Sequence, residues 1–374
     1  MRYLTTTAGV VLVTLWLFAA PVLSEKGQAG PQLRKEPITE ENHAIKVRVN
    51  EVIVPVTILD SKGEMISDLT KDKFHIFDNR VEQTIEQFDL GGDALAVALV
   101  IETSSHIQMM APAIHRIGSV FTETVMAIEG TAAVITYDNT VEVQQPFTKD
   151  HDAIERAIGK VNFKAPEMRL YDAMSTAVGL LKMQPSKFRR VMLIIGESQD
   201  RSSEAKFGLV LRDVLLANIS IYAVGPSSTS ADLRYGTNGS SAVPLPGSLP
   251  PASTQAPPRD PMGRPYFDVL SPAIWLLTRG TNEIKNHQLE IAAASTGGVH
   301  YRALNDRTIE SAIDKIGGEI HAQYIMSYSP TTESSSGFHK IDVTVVRPGA
   351  AVRARSGYFT DTVPDLSPTQ RADP

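Results

Sequence analysis

Cysteine is absent from this chain of 374 residues. Its absence excludes disulfides, thiolate nucleophiles, zinc–thiolate sites and a cysteine-linked lipid anchor together. In an exported chain, stability would then come from core packing alone. A basic stripe is also missing: 36 Lys and Arg are interspersed with 42 Asp and Glu for a net charge of −6, which argues against nucleic acid as a partner. The sequence contains neither a phosphate-cradling glycine loop nor an H-E-x-x-H pair. Beyond the N-terminus, no apolar run is long enough to span a bilayer.

What is present begins with an export-like segment. Arg2 precedes an apolar run from Ala8 to Ala20, and Val22 and Ser24 are small enough for a cleavage site before Glu25. The expectation is a signal peptide over 1–24 and a periplasmic or extracellular protein that is not integral to the membrane after cleavage. The alternative is an uncleaved anchor. Residues 25–43 read as a flexible polar leader.

From Ala44 the pattern is β. Ile45, Val47 and Val49 alternate with polar residues, VIVPVTILD leads to a turn at Ser61–Glu64, and Phe74, Ile76, Ile85 and Phe88 continue the alternation. Pro55 suggests an edge or a bulge. From Ala94 the rhythm changes to continuous apolar strands alternating with helical spacing. ALAVALVI reads as a strand covered on both faces. A helix is expected over 107–128, strands over 131–137 and 141–145, a helix capped by Asp150, helices over 170–183, 203–217, 283–295 and 308–322, and strands over 190–195, 219–224 and 299–302. The alternation predicts an α/β, doubly wound, mostly parallel sheet of Rossmann-like type over 93–322. A Pro/Ser-rich insert at 226–265 lacks the residues to build a core. Strands return over 323–359 before a polar tail at 360–374. A two-stranded ribbon is marginal alone. The C-terminal strands are therefore expected to complete a small β-sandwich with 44–92, the α/β domain being inserted into it.

The segments VPVTILDSKGEMISDLTKDKFHIFD, ALVIETSSH, RLYDAMSTAVGLL, MLIIGESQDRSS, NISIYAVG, AASTGG and QYIMSYSPTTE, in that order, resemble the von Willebrand factor A domain. They resemble most nearly the von Willebrand factor A-related acidobacterial proteins, over roughly 44–359. The resemblance implies a metal-ion-dependent adhesion site at the C-terminal edge of the sheet, where D-x-S-x-S, a Thr and a second Asp hold Mg or Mn for a partner's carboxylate. Carried over by position, the first Asp is Glu102, the first Ser is Ser104, the second Ser is His106, the Thr is Met168 (or Arg169, one residue on), and the second Asp is Glu197. Only Ser104 is intact.

The substitutions change the chemistry. Mg²⁺ demands near-octahedral oxygen at about 2.0–2.1 Å. Glutamate adds a methylene, imidazole replaces a hard oxygen at His106, and a thioether suits hard cations poorly. A repurposed zinc or manganese site would use Glu102, His106 and Glu197. The metal-free alternative pairs Glu102 with His106, or places Arg169 and Arg201 between Glu102 and Glu197 in the cation's stead. The partner-binding rim would then comprise Glu102, Ser104, His106, Met168, Arg169, Asp172, Glu197, Asp200 and Arg201.

The functional expectation is a non-enzymatic, exported protein-binding module with a degenerate adhesion site and no cofactor. The alternatives are a cation-dependent adhesion protein and a structural part of an envelope complex. A weaker one is a hydrolase at Ser198, because Gly196–Asp200 faintly echoes a nucleophile elbow, with His287, His300 and His321 as the available bases. Against that stands a capping turn in which Ser202 or Ser203 opens a helix. Asp172 reads either as support for the site or as compensation of its helix dipole. Tyr137 and Tyr171 read as packing residues.

Overall fold

The structure is a computed structural model that describes residues 51–92, 94–163, 165–226, 287–303, 306–330 and 337–360. The export segment, the leader, the alternating strand at 45–49, the Pro/Ser-rich insert, the first residues of the helix expected from 283 and the tail lie outside these residues.

The central strand is β5 (Leu95–Glu102), buried along its whole length. Leu95, Val97, Leu99 and Ile101 enter one core and Ala96, Ala98 and Val100 the other. This is the period-two division of a strand covered on both faces. Around it lie β6 (Thr131–Tyr137), β7 (Val141–Thr148), β8 (Arg189–Ile195), β9 (Ile219–Gly225) and β10 (His300–Arg302), in the order β10-β9-β8-β5-β6-β7. All neighbours are parallel except β7, the antiparallel edge strand. On one face pack α1 (Ala111–Val120), α2 (His151–Gly159) and α6 (Asp306–Ala322). On the other pack α3 (Leu170–Lys182), α4 (Phe207–Leu216) and α5 (Gln288–Thr296). The α/β fold is thus doubly wound. Asp150 caps α2, accepting the Ala153 amide at 3.0 Å.

Two expected helices differ. Residues 107–128 form a 3₁₀ turn (Ser105–Met110), α1 and a π turn (Phe121–Met126). Pro112 in the first turn of α1 separates the first two, since it has no amide to continue a ladder. In the π turn the Thr122 and Thr124 hydroxyls donate to the Ser119 and Val120 carbonyls, a competition that loosens helical bonding. The helix expected from Ser203 starts only at Phe207. The Ser203 hydroxyl is used instead at the N-terminus of α3.

The remaining strands are β1 (Val52–Leu59), β2 (Phe74–Asp78), β3 (Val81–Gln83), β4 (Gln87–Leu90), β11 (Tyr324–Tyr328), β12 (Gly337–Val345), β13 (Ala351–Ala354) and β14 (Gly357–Thr360). They form two four-stranded sheets, β13-β1-β11-β4 and β14-β12-β2-β3, each mixing strands from both ends of the chain. Val54, Val56, Ile58, Ile76, Met326 and Tyr328 fill the space between them. Burying each such side chain contributes roughly 1.5–3 kcal/mol. Pro55 sits in a strand with neighbours on both sides, not at an edge. β13 pairs only from Val56 onward, so the missing amide breaks no rung there.

A buried polar seam joins the sandwich strands to the α/β core. Glu319 on α6 contacts Arg353 of β13 and accepts hydrogen bonds from Thr57 of β1 at 3.3 Å and Tyr222 of β9 at 3.0 Å. Arg189 donates to the Ile320 carbonyl at 3.0 Å and to Gln323 at 2.7 Å. The buried Arg355 spends its guanidinium on the Gly357, Ile53 and Leu215 carbonyls and on Asn218. Among the described residues, no helix is long and apolar enough to cross a membrane.

Candidate functional site

After β5 the chain crosses to β6 on one side, and after β8 it crosses to β9 on the other. Their following loops therefore diverge at the carboxyl ends of the two strands, the switch point where open α/β sheets generally place ligands. Glu102 closes β5 there, and Gly196 and Glu197 follow β8.

Glu102 is fully buried. Its Oε2 accepts the Glu197 amide at 2.7 Å, and its Oε1 accepts the Ser104 hydroxyl in a short hydrogen bond. Ser104 in turn accepts the His106 amide at 3.2 Å, which caps the 3₁₀ turn. Gly196 is required at this point: a Cβ would lie 2.4 Å from Tyr137 Oη and 2.8 Å from Glu102 Oε2. Tyr137, opposite Glu102 across the β5–β6 pair, is buried with its hydroxyl unpartnered. Burial pushes the Glu102 carboxyl up to about 7. The Ser104 and Glu197 hydrogen bonds oppose the rise, the Glu197 charge adds to it, and the Arg201 charge subtracts from it.

The neighbouring loops close on themselves. Asp200 Oδ1 accepts the Tyr171 amide at 3.2 Å and the Ser203 hydroxyl at 2.5 Å. Ser203 Oγ also accepts the Tyr171 and Asp172 amides, each at 3.1 Å, so Asp200 and Ser203 together cap α3. Burial raises the Asp200 carboxyl, against the bonds from Ser203 and Tyr171. Asp172 reciprocates, accepting the Glu204 amide at 3.2 Å and the Ala205 amide at 2.9 Å. Its function is thus to hold this loop, in addition to facing the dipole of α3. The Met168 carbonyl accepts the Arg201 and Ser202 amides.

Several expectations need correction. Met168 is not on the rim: its side chain is fully buried in the core beneath α3, where an apolar chain is more stable than at a solvated edge. Arg169 does not stand between Glu102 and Glu197. It pairs with Glu204 at 2.9 Å and Asp172 at 3.3 Å, acids nearer to it in the loops. Arg201 is exposed and reaches Glu102 only through its longer-range charge. Glu102 does not pair with His106, whose side chain is exposed while its amide serves Ser104. Glu102 and Ser104 are buried, so neither offers surface to a partner. His106 and Arg201 are exposed; Arg169, Asp172, Glu197 and Asp200 are half-buried. The residues that sequence reasoning missed are Gly196, Ser203 and the role of Tyr137. Their only signal was position at strand ends, and it required the strand register.

These side chains do not fit a hexacoordinate cation. Both Glu102 oxygens already accept hydrogen bonds, the Ser104 hydroxyl is directed to Glu102, and the thioether faces the core. Among the described residues, no group of three His, Asp or Glu side chains is placed to share a metal ion, so Glu102, His106 and Glu197 are not assembled as a zinc or manganese site.

Ser198 is not arranged as a nucleophile. It is buried, donates to Glu290 Oε2 at 2.6 Å and accepts the Leu289 amide at 2.9 Å, which caps α5. The ring nitrogens of His300 and His287 face Glu290, and His321 bonds the Val125 carbonyl, so none of the three serves Ser198 as a base.

Residues 97–199 match the family model of the von Willebrand factor type A domain. Domains of this type are generally interaction modules rather than catalysts. No curated protein matches the chain. Similar solved structures include a serine-substituted aerotolerance-related membrane protein from Bacteroides fragilis. It is 12% identical with a TM-score of 0.38, covering 60% of this chain and 98% of that one. BatB, a conserved hypothetical protein from Bacteroides thetaiotaomicron, is 13% identical with a TM-score of 0.39 and the same coverage. Proximal thread matrix protein 1 from the mussel byssus, solved with a zinc-occupied MIDAS motif, is 18% identical with a TM-score of 0.32, covering 38% of each chain. The narrower acidobacterial resemblance rests on the sequence alone.

Proposed function

We propose that the von Willebrand factor type A domain carried by this chain recognises a protein partner without a bound cation, as part of an exported, non-enzymatic protein. The observation that supports this reading is that Glu102 is buried and gives each oxygen a hydrogen bond within the chain, while among the described residues no three His, Asp or Glu side chains are placed to share a cation. Recognition then falls to the side chains that remain accessible on these loops, the exposed His106, Met109 and Arg201 and the half-buried Glu197. The export reading comes from the apolar run after Arg2 and places the partner in the periplasm or outside the cell.

The test is cross-linking capture from an envelope fraction in EDTA. The wild-type protein is expected to retain a partner that is lost in a His106→Ala/Glu197→Ala/Arg201→Ala variant and kept in Val346→Ser, a change of an exposed residue after β12. Capture that requires Mg²⁺, or that survives the triple substitution, contradicts the proposal.

A further inference from the structure

At the amino end of β5, opposite the rim, the strand that leads into the α/β core lies at a sheet edge. Among the described residues β4 is the last strand of the sheet β13-β1-β11-β4. Its Gln87, Phe88, Asp89 and Leu90 stand opposite Ser327, Met326, Ile325 and Tyr324 of β11, and the Gly91 amide donates to the Gln323 carbonyl at 2.8 Å. Backbone bonds alternate along an antiparallel pair. Gly91, Asp89 and Gln87 therefore direct theirs to β11, and Leu90 and Phe88 turn theirs to the edge. Side chains alternate as well. Phe88 lies on the core face against Phe74 and Tyr324. Leu90 follows on the same face and is 47% exposed. Asp89 is on the other face and exposed.

Just past β4 the chain borders a cavity of about 270 Å³, whose lining includes Gly92, Leu95, Met126, Ala127, Ile128 and Glu129. Ile128 is 86% exposed. Ala127 before it adopts φ 54° and ψ −174°, a conformation that is costly for a residue with a Cβ. Its amide donates to the Thr122 carbonyl at 3.0 Å, and its carbonyl accepts from His151 Nε2 at 3.3 Å. The loop thus holds an isoleucine out of the core at a cost in backbone strain. The charge here has one sign. Residues 86–95 read EQFDLGGDAL and residues 127–130 read AIEG, with acids in both segments and no Lys or Arg. Lys149 reaches Glu129 at 3.7 Å, but both side chains are exposed, so that contact exchanges readily. A second copy of the chain pairing its own β4 at this edge would bring Glu86 and Asp89 against like charges.

We infer that the β4 edge, with Leu90, Ile128 and the cavity beside them, takes an extended protein segment as an added strand, one in which apolar residues alternate with Lys or Arg. The backbone of that segment pairs with Phe88 and Leu90. Its apolar side chains fall on the face of Leu90 and continue past Ile128 into the cavity, and its basic ones fall on the face of Asp89. This surface lies apart from the rim and does not depend on what the rim binds.

Fluorescence anisotropy of the full chain with a labelled Val-Lys-Val-Arg-Val-Lys-Val peptide, and with the same peptide carrying Glu in place of Lys and Arg, tests this. The basic peptide is expected to bind about tenfold more tightly than the acidic one. Leu90→Pro removes an edge-facing amide and leaves the bonds to β11 in place. It is expected to weaken the basic peptide about tenfold. In Asp89→Lys/Glu129→Lys the preference is expected to reverse in favour of the acidic peptide, a gain that a misfolded variant cannot produce. Equal binding of the two peptides by the wild-type protein overturns the inference. So does undiminished binding of the basic peptide by Leu90→Pro. Sedimentation that shows a wild-type dimer lost in Leu90→Pro also overturns it, because the edge then belongs to a second copy.

Discussion

Two glutamates buried in the same α/β core live under opposite conditions. Glu319, at the seam with the sandwich strands, contacts the Arg353 guanidinium and two hydroxyls. Burial opposes the charge of Arg353, but Glu319 outweighs it and raises the guanidinium above its ordinary range. Glu102, at the rim, is more deeply buried and meets one hydroxyl and one amide, with no cation in contact. Its carboxyl is pushed up to about 7. The difference teaches that burial raises a carboxyl where no cation touches it, as at Glu102, whereas at the seam a guanidinium is in contact with the buried side chain. At the seam the partner is a fixed cation and the pair joins two parts of the fold. At the rim, where the domain type can hold a metal ion, a proton is the available counter-charge.

Breaking the seam gives the largest expected effect. Arg353→Met leaves Glu319 buried without its cation, and urea unfolding is expected to show a loss of about 3–5 kcal/mol. The rim responds in the other direction. Glu102 has a folded value near 7 against its ordinary 4.5, so the folded state binds the proton more tightly. The stability this contributes is fully present below about pH 4.5 and is lost as pH rises through about 7. Glu102→Gln, which keeps the shape, removes the dependence. It is expected to unfold at ~2–3 kcal/mol higher cost than wild type at pH 8 and near parity at pH 5. A smaller loss, about 1–3 kcal/mol, is expected for Gly196→Ala, whose added methyl has no room beside Tyr137 and Glu102. Ser104→Ala is the smallest change. It removes one donor to Glu102 and should cost ~1–2 kcal/mol at pH 8 and less at pH 5, where the carboxyl is neutral.

How much of this was legible beforehand divides along the same line. Local signals were readable: the apolar run of β5, the Asp150 cap, the doubly wound alternation and the pairing of N- with C-terminal strands. Pro112 interrupts the helix expected over 107–128, a break that apolar spacing alone does not register. The rim was legible only as substitutions at positions of a resemblance. What those substitutions do depends on contacts distant in sequence. The Glu197 amide reaches Glu102 because β5 and β8 are paired in register, and Ser203 turns back to cap α3 instead of opening α4. Arg169 was placed in the right loop, but Asp172 and Glu204 lie closer than the carboxylates it was expected to bridge. Met168 was assigned by alignment, and its apolar side chain followed the core instead.

The most direct test of the proton-for-cation account is thermal melting at pH 7.5 in millimolar Mg²⁺, in Mn²⁺ and in EDTA, on wild type and Glu102→Gln. A cation that binds only the folded state must raise the midpoint. The account predicts one wild-type midpoint in all three solutions, with Glu102→Gln higher in each. A wild-type midpoint several degrees higher in Mg²⁺, reversed by EDTA and absent in Glu102→Gln, would contradict it.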